Sequence, residues 1–231
     1  MGGFETLGVA RGRTQVDVRL YLVTDPGFPD VARVALAGVA GGVTCVQVRD
    51  KDDPDRLCAT SLALRRVLPT HIPVVANDDL EVAGLVDGIH VGVDDIPPAR
   101  ARRLLGEHAV VGWSVNRIDQ LDDRTALEAC DYLAVSPVWP TPTKTDTTTP
   151  FGLEGVRALA ERLREIGWQR GLVGIGGISE ATAASVVEAG ASGVAVVSAV
   201  GAAADPTLAA RGLRAEVDRA LSARSAAGVG S

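Results

Sequence analysis

What most constrains the fold of this chain is a rhythm: short β-branched runs recur eight times, each followed by a segment rich in Ala, Leu and Arg. Such runs suit strands buried on both faces, and the segments between them suit helices that cover a parallel sheet. The pattern predicts strands near Leu20–Thr24, Cys45–Arg49, Val74–Asn77, Gly88–Gly92, Val110–Ser114, Tyr132–Pro137, Leu172–Gly176 and Gly193–Ser198. Asp53-Pro54, Ile96-Pro97-Pro98, Ser179-Glu180 and Asp205-Pro206 place a cap or a proline where the first helical N–H groups would lack partners. Eight such units in 231 residues predict a single-domain α/β protein, a (β/α)8 TIM barrel. An open doubly wound sheet uses the same units, but no GxGxxG follows the first strand. The barrel is placed at residues 17–224, between flexible tails at 1–16 and 225–231.

A barrel of this kind needs branched aliphatic filling, and with 46% apolar but 3% aromatic residues the chain supplies it from Val, Leu, Ile and Ala. A net charge of −6 without any basic run argues against nucleic acid or acidic membrane as a partner. It leaves room for a phosphorylated small molecule, because a few cations in a cleft dominate locally. Cys45, Cys58 and Cys130 are widely spaced with no CxxC pair, so neither a disulfide framework nor a zinc site is expected. No basic stretch leads into an apolar one and no run reaches membrane-spanning length, so a cytoplasmic protein is expected. Met1-Gly2 with Thr6 formally matches a myristoylation pattern, a match too loose to carry weight.

In a barrel, function sits where strands run into the βα loops. Strict alternation along the second strand puts Gln47, Arg49 and Lys51 on one face, with Cys45, and Val46, Val48 and Asp50 on the other. The first face would point into the barrel mouth, where Arg and Lys either serve an anion or form an internal salt-bridge layer. Asn77-Asp78-Asp79 ends the third strand and Asp94-Asp95 follows the fourth. Carboxylates from neighbouring strands can converge on a hard cation such as Mg²⁺, or simply cap the helices that follow.

Val173 to Ile178 carries three glycines out of the seventh strand, and Val197-Ser198 ends the eighth, the usual phosphate side of a barrel. Between Pro137 and Phe151 a Thr- and Pro-rich segment with Thr141, Thr143 and Lys144 is long for a βα connection and reads as a lid. His90 reads as a core histidine, and His71 and His108 show no partner by spacing. Cys45 reads as a small buried hydrophobe rather than a nucleophile. The three tryptophans are scattered and imply no stacking platform.

Six stretches, Leu20 to Pro26, Gln47 to Lys51, Asn77-Asp78, Gly88 to Gly92, Pro140 to Lys144 and Gly174 to Gly177, resemble in order and spacing the thiamine-phosphate synthase family. The resemblance spans about Arg19 to Val200. It implies that Gln47, Val48, Arg49, Asp50, Lys51, Asn77, Ser114 and Lys144 hold a pyrimidine pyrophosphate. Thr141, Pro142, Thr143, Gly177, Val197 and Ser198 would hold a thiazole phosphate, and Asp78 and Asp95 would bind Mg²⁺. Arg49, Lys51 and Lys144 would be catalytic, stabilising charge on the departing pyrophosphate while a pyrimidine-methyl carbocation is captured by the thiazole nitrogen. A carboxylated thiazole would serve as well. The implied partners are these small molecules, with homo-oligomerisation open. Val93 departs from the family, which usually has Gln there, two residues before the second metal-binding Asp. The alternatives are a thiazole tautomerase relative, with little need of three cations, a non-catalytic thiamine-phosphate sensor, and a sugar-phosphate epimerase, which should show an acid/base pair.

Overall fold

The structure is a computed structural model and describes residues 15–140 and 149–228. Eight parallel strands close into a barrel in sequence order: β1 Leu20–Val23, β2 Cys45–Val48, β3 Val74–Asn77, β4 Gly88–Val91, β5 Val110–Val115, β6 Tyr132–Val135, β7 Gly171–Ile175 and β8 Gly193–Val196. Each lies within two residues of its expected bounds. Closure comes from β1 pairing with β8, with Tyr21 opposite Ala195.

The outer layer is α1 Val31–Ala40, α2 Pro54–Val67, α3 Leu80–Ala83, α4 Pro98–Leu105, α5 Arg124–Ala129, α6 Gly152–Glu165, α7 Glu180–Glu188, α8 Ser198–Gly201 and α9 Pro206–Gly228. Their starts follow from local chemistry. Asp53 accepts from the Arg56 N–H at 2.9 Å with Pro54 in the first turn, and Asp205 accepts from the Leu208 N–H at 3.0 Å. These caps satisfy N–H groups that the helix itself cannot. The extra short helix α8 was not foreseen; it turns the chain between β8 and α9.

Alternation along the strands divides the core in two. Val46, Val48, Ile89, Val91 and Leu133 face outward and pack under the helices. Tyr21, Val23, Cys45, Val75, Tyr132, Val173 and Ala195 face inward and fill the barrel, together with Val16 and Val18 from below. Two boundaries are therefore corrected. Val16, expected in a tail, is buried at the barrel floor, and α9 carries the chain in helical form past 224 to Gly228. Among the described residues no helix is long and apolar enough to cross a membrane.

Candidate active site

The C-terminal ends of the strands surround a cleft of about 670 Å³ whose lining includes Gln47, Arg49, Lys51, Asn77, Asp78, Asp95, Ser114, Gly177, Val197 and Ser198. Its first wall is β2. The Arg49 N–H donates to Thr24 Oγ1 at 3.2 Å, tying the ends of β1 and β2 together, and the half-buried Arg49 guanidinium has no ion-pair partner among the described residues. Lys51 Nζ stands 3.4 Å from Asp78 Oδ2 with its side chain 56% exposed. Two cations thus line an open space with a carboxylate beside Lys51, an arrangement open to an anion rather than a closed salt-bridge layer.

Val48 and Asp50 stand apart from the cleft lining. Val48 is buried in the helix-facing core, and neither residue lines the cleft. The Asp50 carboxylate turns outward, accepts from the N–H groups of Asp52 at 3.2 Å and Asp53 at 3.1 Å, and pairs with Arg56. The period-two alternation of a strand continues through Asp50, so neighbours within one motif stand on opposite faces.

The second wall is acidic, lined by Asp78, Asp94 and Asp95, with Asp79 just outside it. Asp79 is a helix cap, accepting from the Val82 N–H at 2.9 Å. Asp78 adopts φ 61°, uncommon for a residue with a Cβ, which swings its carboxyl toward the cleft. There Asn77 Nδ2 donates to Asp78 Oδ2 at 2.6 Å. Asp95 folds back so that its Oδ2 accepts from the Gly92 N–H at 2.6 Å, a return that a Cβ at Gly92, 2.7 Å from the same oxygen, would obstruct.

The Asp78 and Asp95 carboxyls are hydrogen-bonded to each other. Burial, followed by the Asp95 carboxyl, pushes Asp78 up to about 7, with Lys51 opposing. Burial acts upward on Asp95 too, but the hydrogen bond from Asp78, the Gly92 N–H, Lys51 and His90 together hold it below the usual carboxylate value. Burial and the neighbouring carboxylate thus favour a proton on the pair at mildly acidic pH, more readily at Asp78 than at Asp95.

The third wall is the glycine turn. Gly176 and Gly177 have φ 107° and 67°, and a Cβ on Gly177 would lie 2.9 Å from Trp139 Cβ. The Val138 and Trp139 N–H groups donate to the carbonyls of Ile175 at 2.8 Å and Gly176 at 3.1 Å, strapping the exit from β6 against this turn. Next to it Val197 precedes α8, whose first residue is Ser198. A glycine turn beside a short extra helix after the eighth strand is the phosphate-binding arrangement of many barrels.

A family model described as thiamine monophosphate synthase matches residues 20–200. The chain belongs to this family. The thiamine-phosphate synthase of Albidiferax ferrireducens is 47% identical over 208 residues, 87% of this chain and 92% of that protein. The thiamine-phosphate synthase of Chloroflexus aurantiacus is 43% identical over 209 residues, 87% of this chain and 94% of its own length. Among solved structures, the thiamine phosphate pyrophosphorylase from Pyrococcus furiosus superposes with a TM-score of 0.78 at 28% identity, covering 90% of this chain and 98% of that one.

Of the expected site residues, Thr141, Pro142, Thr143 and Lys144 lie outside the described residues. Val93, at the family's usual Gln position, is 41% exposed and lines the cleft. Cys45 is fully buried and burial drives its thiol far up, consistent with an inert filler. Sequence reasoning missed the polar floor of the cleft. Both of the chain's tyrosines, Tyr21 and Tyr132, sit inside the barrel with their hydroxyls 2.8 Å apart. His90 joins them, Nδ1 lying 3.0 Å from Tyr132 Oη and Nε2 2.9 Å from Ser114 Oγ. That the two tyrosines both fall within predicted strands was the available signal.

Proposed function

We propose that this protein is a thiamine-phosphate synthase that joins 4-amino-2-methyl-5-(diphosphomethyl)pyrimidine to 4-methyl-5-(2-phosphoethyl)thiazole, releasing pyrophosphate. The observation that carries this reading is the facing of two anion sites across one cleft. Arg49 and Lys51 stand beside the Asp78–Asp95 pair on one side, and the Gly176-Gly177 turn and the start of α8 stand on the other.

The donor set fits Mg²⁺. Two carboxylates held in contact, with no third His, Cys, Asp or Glu grouped with them among the described residues, match an ion that takes one or two carboxylates and completes its shell with substrate phosphate and water. Asp78 and Asp95 would hold it, and when bound it would offset charge growing on the pyrophosphate oxygens.

The residues of the chain do the rest. Arg49 and Lys51 bind the pyrophosphate and stabilise it more as the C–O bond breaks and negative charge collects on the leaving group. Pyrophosphate departs with the electron pair, leaving a cation on the pyrimidine methylene. Backbone N–H groups at Gly177 and Val197 and the Ser198 hydroxyl anchor the thiazole phosphate, aiming the ring nitrogen at that carbon to form the C–N bond. Holding both partners in one geometry supplies much of the rate gain. Gln47 and Ser114 contact the pyrimidine ring, and Asn77 keeps Asp78 in place. Thr141, Thr143 and Lys144 complete the phosphate contacts in this proposal, and a carboxylated thiazole is accepted as well. A cytoplasmic location is part of the same reading, supported by Cys45, Cys58 and Cys130 forming no disulfide.

Incubation of purified protein with both substrates and Mg²⁺ should yield thiamine phosphate and pyrophosphate in equal amounts. Binding without product would make it a sensor, and isomerisation of the thiazole alone would make it a tautomerase.

A further inference from the structure

Beneath the cleft, five side chains from five strands form one continuous hydrogen-bonded chain. Gln47 Nε2 on β2 donates to Tyr21 Oη on β1 at 3.1 Å, and Tyr21 Oη meets Tyr132 Oη on β6 at 2.8 Å. Tyr132 Oη meets His90 Nδ1 on β4 at 3.0 Å, and His90 Nε2 meets Ser114 Oγ on β5 at 2.9 Å. The middle of the chain is dry, with Tyr21 1% and Tyr132 0% exposed. Both ends, Gln47 and Ser114, line the cleft, whereas Tyr132 does not.

The arrangement is built into the barrel. Tyr132 crosses the interior edge-on to Tyr21, with ring centroids 5.5 Å apart, and stacks on His90 at 5.6 Å. It has room to do so because residue 112 is glycine: a Cβ there would fall 2.1 Å from Tyr132 Cζ and 2.6 Å from His90 Nδ1.

Each hydroxyl has one proton to give, so the chain has a direction. With Gln47 Nε2 donating to Tyr21, the Tyr21 proton goes to Tyr132 and the Tyr132 proton to His90 Nδ1. Cys45, which also meets Tyr21, is too weak a partner to redirect it. His90 Nδ1 must then be bare and its proton must sit on Nε2, donated to Ser114 Oγ. What remains for a ligand is the Gln47 carbonyl oxygen, with the second amide N–H beside it, at one end and the Ser114 hydroxyl proton at the other. These two residues stand three strands apart in an eight-strand ring, on opposed sides of the mouth.

We propose that Tyr132 and His90 are positioning residues that set the hydrogen-bond polarity of the cleft, presenting an acceptor at Gln47 and a donor at Ser114 to a flat heterocycle that bears an exocyclic amine and a ring nitrogen. The inference rests on the synthase reading and specifies its aminopyrimidine end. Run in the opposite sense, the same five groups would offer the reverse pattern and reject that ring, because a mismatched buried polar group goes unpaired.

Two measurements test it. Tyr132→Phe keeps the ring in the space reserved by Gly112 and cuts the chain at its centre without touching the cleft. The KM for the pyrimidine diphosphate should rise about tenfold, the scale of one lost hydrogen bond. The KM for the thiazole phosphate should stay near wild type, while the melting temperature drops by a few degrees because Tyr21 Oη and His90 Nδ1 lose a buried partner. Separately, ¹⁵N NMR of histidine-labelled wild-type protein should show His90 neutral with its proton on Nε2, a signal that Tyr132→Phe should alter. An unchanged pyrimidine KM, an equal rise in both KM values, or a proton on Nδ1 overturns the proposal. Failure of the wild type to make thiamine phosphate would instead remove the synthase reading, and the tautomer would still decide whether the chain runs in this sense.

Discussion

Lys51 Nζ and Asp78 Oδ2 stand 3.4 Å apart, the ammonium more than half exposed and the carboxyl largely covered. This contact joins the cationic wall of the cleft to its acidic wall, and it is too solvated to matter much for folding, since pairs of this kind contribute at most about 1 kcal/mol. It leaves the ammonium within reach of a phosphate oxygen bound between the walls.

Lys51→Ala and Arg49→Ala should therefore separate catalysis from stability. Turnover should fall on the order of a hundredfold or more, as when a preorganised charge aimed at a leaving group is removed. The melting temperature should barely move. Parallel losses in steady-state rate and in melting temperature would make these side chains structural.

Magnesium dependence should vary with pH in a defined sense. Below about 7 Asp78 carries the proton it shares with Asp95, and a cation must displace it; above that value the site is already empty of the proton. The magnesium concentration for half-maximal rate should be higher at pH 6 than at pH 8. Asp78→Asn and Asp95→Asn should each raise it at every pH. Superimposable magnesium titrations would take both residues out of the metal site.

Gly177→Ala places a Cβ at φ 67° and 2.9 Å from Trp139 Cβ, on the thiazole side of the cleft. The KM for thiazole phosphate should rise while that for the pyrimidine diphosphate holds, with a stability cost of about 1 kcal/mol from the strained backbone. Product formation varied against each substrate in turn shows the asymmetry, and a rise in both KM values would argue against a divided cleft.

Asp50→Ala should behave oppositely to Lys51→Ala although the residues are adjacent. It removes an acceptor for two backbone N–H groups and for Arg56 at the start of α2, so thermal unfolding should come earlier while both KM values stay unchanged. A selective rise in pyrimidine KM would restore Asp50 to the substrate.

The strands were readable because a parallel strand buried on two faces has few options besides Val, Ile, Leu and Ala, so Val74–Asn77 and Gly88–Val91 stand out against their polar flanks. Arg49 and Lys51 were readable by alternation, and the same rule, applied one residue further, puts the Val48 and Asp50 side chains off the cleft-facing side. Which aspartate caps a helix and which enters the cleft was not readable. Asp78 and Asp79 are neighbours with the same side chain, and the φ of 61° at Asp78 separates them. The Tyr21–Tyr132–His90 chain was hidden for a different reason: its members come from β1, β6 and β4, and their meeting depends on ring positions across the barrel that no local period encodes. Helix α8 is a single turn of four residues, too short to show an apolar face.

The pairing of β8 with β1 has one more consequence. Arg49 and Lys51, proposed for the pyrophosphate, come from the first quarter of the sequence, and Gly177, Val197 and Ser198, proposed for the thiazole phosphate, from its last third, and no hairpin or local unit brings them together. A growing polypeptide, or any half of one, would therefore hold at most one of the two reactants. Competence arrives all at once, when the final staves of the ring are seated and the two pockets first look at each other.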